Sequence, residues 1–270
     1  MGKLKGSKKH FISLIVPAYK QEKTIQENLR VIKRVLEHLP CSFEILVVVD
    51  GMGDKTFENA KKEKSSKIKV VGYKNNRGKG YAVRYGMVRS KGSIVCFIDA
   101  GMDLNPNGIS VLLDYFKSYR ADIVVGSKRH PMSKVTYSWN RRIVSLLSQI
   151  FVRLLFGLNV KDTQVGIKMF RKEVIKNVLP RLLVKKFAFD IELLVVAYYL
   201  GYARIYEAPV EINHNFGVSI LSKDLWRELF RTFWDTIAIF YRLKLLHYYD
   251  DNNKRKWKYD PELEFKVNIG

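Results

Sequence analysis

Short runs of β-branched and aromatic residues alternate with longer amphipathic stretches through the first half of the chain. Runs at 11–16, 43–49, 68–73, 94–98 and 123–125 have the length and composition of buried strands. Between the first two, Ile25, Leu29, Ile32 and Leu36 fall on one helical face. This alternation predicts an α/β fold, a mostly parallel sheet covered by helices, with ligands bound beyond the carboxyl ends of the strands. After residue 129 the pattern changes to a helix over 137–156, a polar segment from 162, a helix over 190–200 and short strands within 203–211. From 225 to 246 the residues Trp226, Leu229, Phe230, Phe233, Trp234, Ile237, Phe240, Tyr241 and Leu245 recur at three- and four-residue steps. Arg227, Arg231, Asp235, Arg242 and Lys244 lie between them, the pattern of an amphipathic helix. A second apolar stretch, 143–158, carries Ser145, Ser148, Gln149 and Arg153, and it is shorter than the ~18–20 apolar residues a membrane span needs.

These shifts divide the chain into a basic tail (1–10), one α/β domain (11–220), amphipathic helices suited to a membrane interface (221–250) and a charged tail (251–270). The last begins Asp251-Asn-Asn-Lys-Arg-Lys and is expected to be partly disordered. At 270 residues and 47% hydrophobic content the chain has ample material for a core, which excludes a wholly disordered protein. Its 48 Lys and Arg against 26 Asp and Glu leave a net charge of +22, favouring anionic partners: nucleic acid, an anionic membrane or a phosphorylated substrate. Cys41 and Cys96 form no C-x-x-C pair, which points to a reducing compartment and excludes a disulfide framework. The apolar run after the basic tail stops at Pro17, too short for a signal peptide.

Candidate chemistry clusters after the strands. Asp99 and Asp103 follow the fourth strand, where oxygen ligands suit a hard divalent cation, although Asp-Leu-Asn-Pro is also good turn chemistry. Asn75-Asn-Arg-Gly-Lys-Gly follows the third and opens a helix, so Gly78 and Gly80 either let backbone amides approach a phosphate or pack the helix start on the sheet. Asp162-Thr-Gln-Val-Gly-Ile-Lys collects an acid, an amide and a base. Asp190 and Glu192 begin a helix, as caps or as functional acids. Lys128, Arg129, Arg141 and Arg142 come shortly after the fifth strand, where arginine can fork onto phosphate oxygens. The five histidines are scattered without zinc spacing.

In order, these segments resemble the inverting family-2 glycosyltransferases of the GT-A fold, and within them the dolichyl- or polyprenyl-phosphate sugar synthases. Ile15-Val-Pro-Ala-Tyr-Lys-Gln-Glu is similar to the strand and loop that hold the nucleotide. Val49-Asp-Gly-Met-Gly-Asp and Asn76-Arg-Gly-Lys-Gly-Tyr-Ala are similar to the second and third motifs, and Gly126-Ser-Lys-Arg to a G-S-R motif. Asp99-Ala-Gly-Met-Asp takes the place of D-x-D. Asp162-Thr-Gln-x-Gly-x-Lys-x-Phe with Phe189-Asp-x-Glu-Leu-Leu is most like the dolichyl-phosphate glucose synthase branch. Three departures stand out: Lys20-Gln21 replaces the family's Asn-Glu, the second-strand motif has one Asp, Asp50, where many relatives have two, and Gly101 stands at the second Asp of D-x-D.

The resemblance implies transfer of glucose or mannose, with inversion, from UDP-glucose or GDP-mannose to dolichyl or polyprenyl phosphate. Asp99 and Asp103 would hold Mg2+ or Mn2+, and with Asp190 they form the expected catalytic set. Pro17, Tyr19, Gln21, Glu22, Asp50, Lys79 and Ala100 are expected around the nucleotide. Arg129, Arg141, Arg142, Gln164, Lys168 and Glu192 are expected around the phosphates and sugar. A lipid-phosphate acceptor places the protein at the cytoplasmic face of a membrane as a peripheral protein, its amphipathic helices docking there or forming a homodimer interface. A hydroxyl acceptor is the rival within the family, with Asp190 as general base. A non-catalytic relative is a further alternative. A nucleic-acid binder would leave the acidic pair at Asp99 and Asp103 unexplained, since carboxylates repel phosphates unless a cation intervenes.

Overall fold

Strands buried on both faces read as continuous apolar runs, and the first two here do so almost without interruption. A computed structural model of the chain describes residues 10–135, 139–213, 224–252 and 257–268, without the side chains of 139–142 and 224–226. The order is β1 (Phe11–Ala18), α1 (Ile25–Glu37), β2 (Ser42–Asp50), α2 (Thr56–Lys61), β3 (Ile68–Tyr73), α3 (Lys79–Arg89), β4 (Ile94–Ile98), α4 (Gly108–Ser118) and β5 (Ile123–Ser127). There follow α5 (Trp139–Phe156), β6 (Ile167–Arg171), α6 (Lys172–Val178), α7 (Phe189–Tyr199), β7 (Ile205–Pro209), α8 (Asp224–Lys244), β8 (Lys258–Asp260) and β9 (Phe265–Val267).

Seven strands form one sheet in the order β3-β2-β1-β4-β6-β5-β7. All neighbours are parallel except β6, which runs antiparallel to both β4 and β5. The sequence pattern does not single out β6, because a fully buried Lys168 interrupts its apolar run and a polar segment leads into it. Its insertion has a local consequence: pairing of Ile98 with Ile167 sets Asp99 beside Gly166. α1 is held to the sheet by Ile25, Leu29, Ile32 and Leu36, all fully buried, as the spacing predicts.

α5 and α8 meet through stacked Phe151 and Phe233 (centroids 4.9 Å apart) and Phe156 with Phe240 (6.1 Å). α8 is anchored at its later turns by buried Ile239 and Leu243. Where a charged tail is expected, residues 257–268 instead form the β8–β9 hairpin. It packs Leu263 and Val267 against Tyr81 of α3. The basic tail up to residue 9, the end of the expected α/β domain at 214–220, and residues 253–256 lie outside the described residues.

Candidate active site

The carboxyl ends of β1, β2, β3 and β4 converge on one edge of the sheet. β4 ends at Ile98 and the chain turns through Asp99-Ala-Gly-Met-Asp. Asp99 N donates to Gly166 O (3.0 Å), Ala100 N to Pro17 O (3.3 Å), and Asn28 Nδ2 to Ala100 O (2.8 Å). Pro17 and buried Ala100 are therefore joined through their backbones at the end of β4. Met102, also buried, has φ 57°, a left-handed conformation that few non-glycine residues adopt. Beyond this reversal, Asp103 Oδ1 lies 4.0 Å from where a Cβ on Gly101 would sit, and Gln21 Nε2 lies at the same distance. The space left by the glycine is thus approached by a carboxylate from two residues further along.

The start of α3 supplies the opposing charge. Lys79 Nζ is 2.9 Å from both Asp99 carboxylate oxygens, of which only Oδ2 accepts a hydrogen bond, and 3.8 Å from Asp190 Oδ2. On the far side of Asp190, Lys168 Nζ donates to Oδ1 (2.6 Å) and to Val165 O (2.8 Å). Two carboxylates and two ammonium groups therefore alternate in one chain. Burial opposes the charge of Lys79, but Asp99 and Asp190 more than offset it, and its pKa is held above the ordinary lysine value. Burial dominates at Lys168, pulling its pKa down despite Asp190. The close approach of α3 and α7 that makes this chain needs Gly80, where a Cβ would fall 2.3 Å from Phe189 Cβ.

Asp50 organises the loop in front of Lys79. Its Oδ1 accepts from Arg77 N (2.7 Å), and its Oδ2 accepts from Gly78 N (2.9 Å) and Asn76 Nδ2 (3.0 Å). Residues after β1 line an open cleft of about 400 Å3 formed by Lys20, Gln21, Glu22, Lys23, Thr24 and Asp54. There Glu22 Oε2 accepts from Lys55 N (3.1 Å), Gln21 N donates to Thr56 Oγ1 (2.8 Å), and Tyr19 stands 47% exposed beside it.

Residues 13–179 match the model of the family described as glycosyl transferase family 2. The chain belongs to glycosyl transferase family 2. It is 31% identical over 202 residues to the dolichyl-phosphate beta-glucosyltransferase of Dictyostelium discoideum, covering 69% of this chain and 62% of that protein's length. Against a dolichyl-phosphate beta-glucosyltransferase of Trichomonas vaginalis it is 31% identical over 256 residues, covering 87% of this chain and 75% of that one. Among solved structures, glucosyl-3-phosphoglycerate synthase from Mycobacterium tuberculosis superposes with a TM-score of 0.63 at 22% identity, over 86% of this chain and 79% of that chain. The mixed, mostly parallel sheet flanked by helices is the GT-A fold that the motifs imply.

Within this family-2 site the expected residues separate into two groups. Gln21 and Glu22 line the cleft, Tyr19 precedes them exposed at the end of β1, and Lys79, Asp99 and Asp103 lie at the end of β4. Asp50, Lys168, Asp190 and Glu192 lie beneath, 3% exposed or less. Asp50 and Lys168, expected to touch substrate, bond the loop at 76–78 and Asp190. Glu192 is enclosed by partners within the fold. Its carboxylate accepts from Leu183 N (3.0 Å), Val184 N (2.8 Å) and Tyr249 OH (2.8 Å), all internal partners, and burial raises its pKa. It ties the loop before α7 to the segment after α8.

Arg129 stands at the end of β5, where Nη1 donates to Gln149 Oε1 of α5 and to Lys161 O (3.5 Å). Gln164 is half-buried on the segment leading to β6. The side chains of Arg141 and Arg142 lie outside the described residues. Asn28, which holds the Ala100 carbonyl, escaped the sequence analysis, and Gly166, present there only within its motif, leaves room for Asp99 through its missing Cβ. Asn28 sits on the buried face of α1 among apolar residues, and that polar exception is the signal that could have found it.

Proposed function

We propose that this family-2 chain transfers glucose from UDP-glucose to dolichyl phosphate in a single inverting displacement. The observation that carries the phosphate acceptor is the confinement of Asp190. A hydroxyl acceptor needs a base within hydrogen-bond reach of its proton. Asp190 is 3% exposed and held between Lys168 at 2.6 Å and Lys79 at 3.8 Å, partners inside the fold that compete with an acceptor's proton for its oxygens. A phosphate monoester brings its own nucleophile, because its second pKa of ~6 leaves the oxygen ionised at neutral pH. That oxygen bonds to the anomeric carbon while the bond to the donor's diphosphate breaks, its electron pair leaving on the diphosphate oxygen. The sugar's configuration inverts.

The protein's work is then to position both anions and to neutralise the leaving charge. Asp99 and Asp103 fit a divalent cation, Mg2+ or Mn2+. Asp99 Oδ1 is enclosed and, its ion pair with Lys79 aside, accepts no hydrogen bond, and Asp103 Oδ1 comes within 4.0 Å of where a Cβ on Gly101 would sit. Two carboxylates completed by substrate phosphate oxygens suit such an ion better than a full protein cage. The described residues contain no group of three or more His, Cys, Asp or Glu that would form one. When bound, the ion supplies charge stabilisation to the departing diphosphate. Tyr19, Gln21 and Glu22 border the nucleotide cleft, and Arg129, Arg141, Arg142 and Gln164 orient the donor and acceptor phosphates and the sugar. The names of the Dictyostelium and Trichomonas relatives support dolichyl phosphate and glucose. The Mycobacterium synthase, solved with Mn2+, UDP-glucose and phosphoglyceric acid, supports a uridine donor.

The acceptor's chain lies in a bilayer, so the reading places the domain at the cytoplasmic face of a membrane as a peripheral protein. Exposed apolar side chains on α5 and α8 support that placement: Leu147 is 60% exposed, Leu154 79%, Phe230 63% and Trp234 54%. Among the described residues no helix is long and apolar enough to cross a membrane. The test is turnover of UDP-glucose and GDP-mannose with dolichyl phosphate, with and without EDTA, and with the product's anomeric configuration read by NMR. β-Glucosyl phosphate formed only from UDP-glucose, and lost with EDTA, is expected. Transfer to a sugar hydroxyl but not to dolichyl phosphate overturns the reading.

A further inference from the structure

Lys79 takes up the same carboxylate that the divalent cation needs. Its Nζ lies 2.9 Å from both oxygens of Asp99 and is 20% exposed, walled in by α3, α7 and the loop after β4. A Mg2+ ion binds carboxylate oxygen at about 2.0–2.1 Å and demands near-ideal geometry. Such an ion on Asp99 would stand beside an ammonium already in contact with the same group, and like charges that close repel strongly in a partly buried site. The side chain has somewhere to go. Asp190 Oδ2 is only 3.8 Å away, and a four-carbon stem lets the ammonium shift between the two acids without moving the helix.

Resting on the glycosyl-transfer reading above, we propose that Lys79 is a tethered competitor of the divalent cation at Asp99, displaced toward Asp190 and the donor's diphosphate when the ion binds. The backbone supports a moving side chain on a fixed base. Lys79 opens α3, whose start is pinned by the three donors on Asp50 and by Tyr81 N on Lys185 O (3.0 Å). Lys168 keeps Asp190 neutralised whether or not Lys79 is near it. The protein therefore sets its own threshold for the metal: the ion has to outcompete an internal cation, and the donor's diphosphate, by offering the ammonium a new partner, favours the exchange. Metal and donor then bind cooperatively through one side chain.

The test measures Mn2+ binding by electron paramagnetic resonance on full-length protein without donor or acceptor. Lys79→Met is expected to bind Mn2+ at least tenfold more tightly than wild type, and to bind UDP more weakly in EDTA. Lys79→Gln, which keeps a polar side chain without charge, is expected to show the same gain, and it decides the question where Lys79→Met is unstable. Lys74→Met removes an exposed charge from the preceding loop and is expected to change Mn2+ affinity less than twofold. Asp99→Asn is expected to abolish the binding. Unchanged or weaker Mn2+ affinity in both Lys79 variants overturns the proposal. So does an equal gain in Lys74→Met, or Mn2+ binding that survives Asp99→Asn. No transferase turnover enters these measurements, so a failure here leaves glucosyl transfer standing, and a failure of glucosyl transfer to dolichyl phosphate leaves the Mn2+ result readable.

Discussion

Asp99 is held by what is missing from its neighbour as much as by what is present. A Cβ on Gly166 would sit 2.3 Å from Asp99 Oδ2 and 2.9 Å from Cγ, so the carboxylate rests where a side chain at 166 would otherwise be. Because the clash is with the movable end of a side chain and not with backbone, Gly166→Ala is expected to leave the melting temperature nearly unchanged. It should lower turnover by about 10–100-fold, the scale seen when groups that orient a metal ligand are disturbed. A large loss of stability with normal turnover of the remaining folded protein would remove Gly166 from the mechanism. Asp190 is the opposite case, a charge whose removal is felt first by the fold. Asp190→Asn leaves Lys168, which is 0% exposed, without its carboxylate, at a cost of about 3 kcal/mol in urea unfolding. If the acceptor is a phosphate, the folded fraction keeps the wild-type basic limb of its pH–rate profile, whereas a lost basic-limb pKa assigns Asp190 as a base. At this scale the polar residues after β1 and β4 were legible in the sequence as candidates, because they stand out directly after apolar strands. Asp50 and Lys168 were legible as special but not as holding the loop at 76–78 and Asp190, and Glu192 was left open between a cap and a functional acid. Whether a carboxylate points into a cleft or back into the loop that carries it is decided by partners far along the chain, such as Tyr249 for Glu192.

α3 is clamped at both ends of its exposed side by the chain's last segment. Arg77 pairs with Glu262, Tyr81 OH donates to Glu262 Oε2 (2.7 Å), and Arg89 Nη2 donates to Glu262 O (2.8 Å) and Glu264 Oε1 (2.9 Å). Exposed ion pairs contribute little by themselves, so the hairpin's hold depends on Leu263, 1% exposed against Tyr81. Leu263→Ala is expected to cost about 2–4 kcal/mol by denaturant titration. It should also raise KM for the nucleotide sugar, because the clamp bears on the turn that presents Lys79. An unchanged KM in the folded variant would make the hairpin a stabilising element alone. Composition hid this element: Lys258, Asp260, Glu262, Glu264 and Lys266 dominate the segment, and its inward positions are recognisable only once α3 is there to receive them. β6 was hidden for a related reason, since an antiparallel strand inserted into a parallel sheet breaks the strand–helix alternation that made the other strands readable. β1 to β5 were legible because a sheet covered on both faces leaves their sequences almost no polar positions.

Over the whole molecule, a net charge of +22 and two apolar stripes offer two kinds of attraction to an anionic, partly apolar surface. On α5, Ile143, Leu146, Leu147, Ile150 and Leu154 are each at least 43% exposed. On α8, Phe230, Phe233, Trp234 and Tyr241 are each at least 44% exposed. The helices touch through Phe151 and Phe233, so the stripes adjoin, and exposed apolar area of this kind marks an interaction face. Aromatic rings suit the headgroup level of a bilayer, and each Lys or Arg near an anionic surface adds about 1 kcal/mol, screened by salt. The full-length protein is therefore expected to sediment with vesicles containing phosphatidylserine at low salt, less at high salt, and least with neutral vesicles. Leu147→Glu, Phe230→Glu and Trp234→Glu together should abolish sedimentation without lowering the melting temperature, because these side chains are already half or more in water. The same variant separates chemistry from docking. Transfer to a short, soluble polyprenyl phosphate should survive, while transfer to dolichyl phosphate in vesicles falls with the loss of binding. Protein that stays in the supernatant with anionic vesicles at low salt, and that sediments as a dimer broken by the same three substitutions, would put a second copy of the chain on this face in place of the membrane.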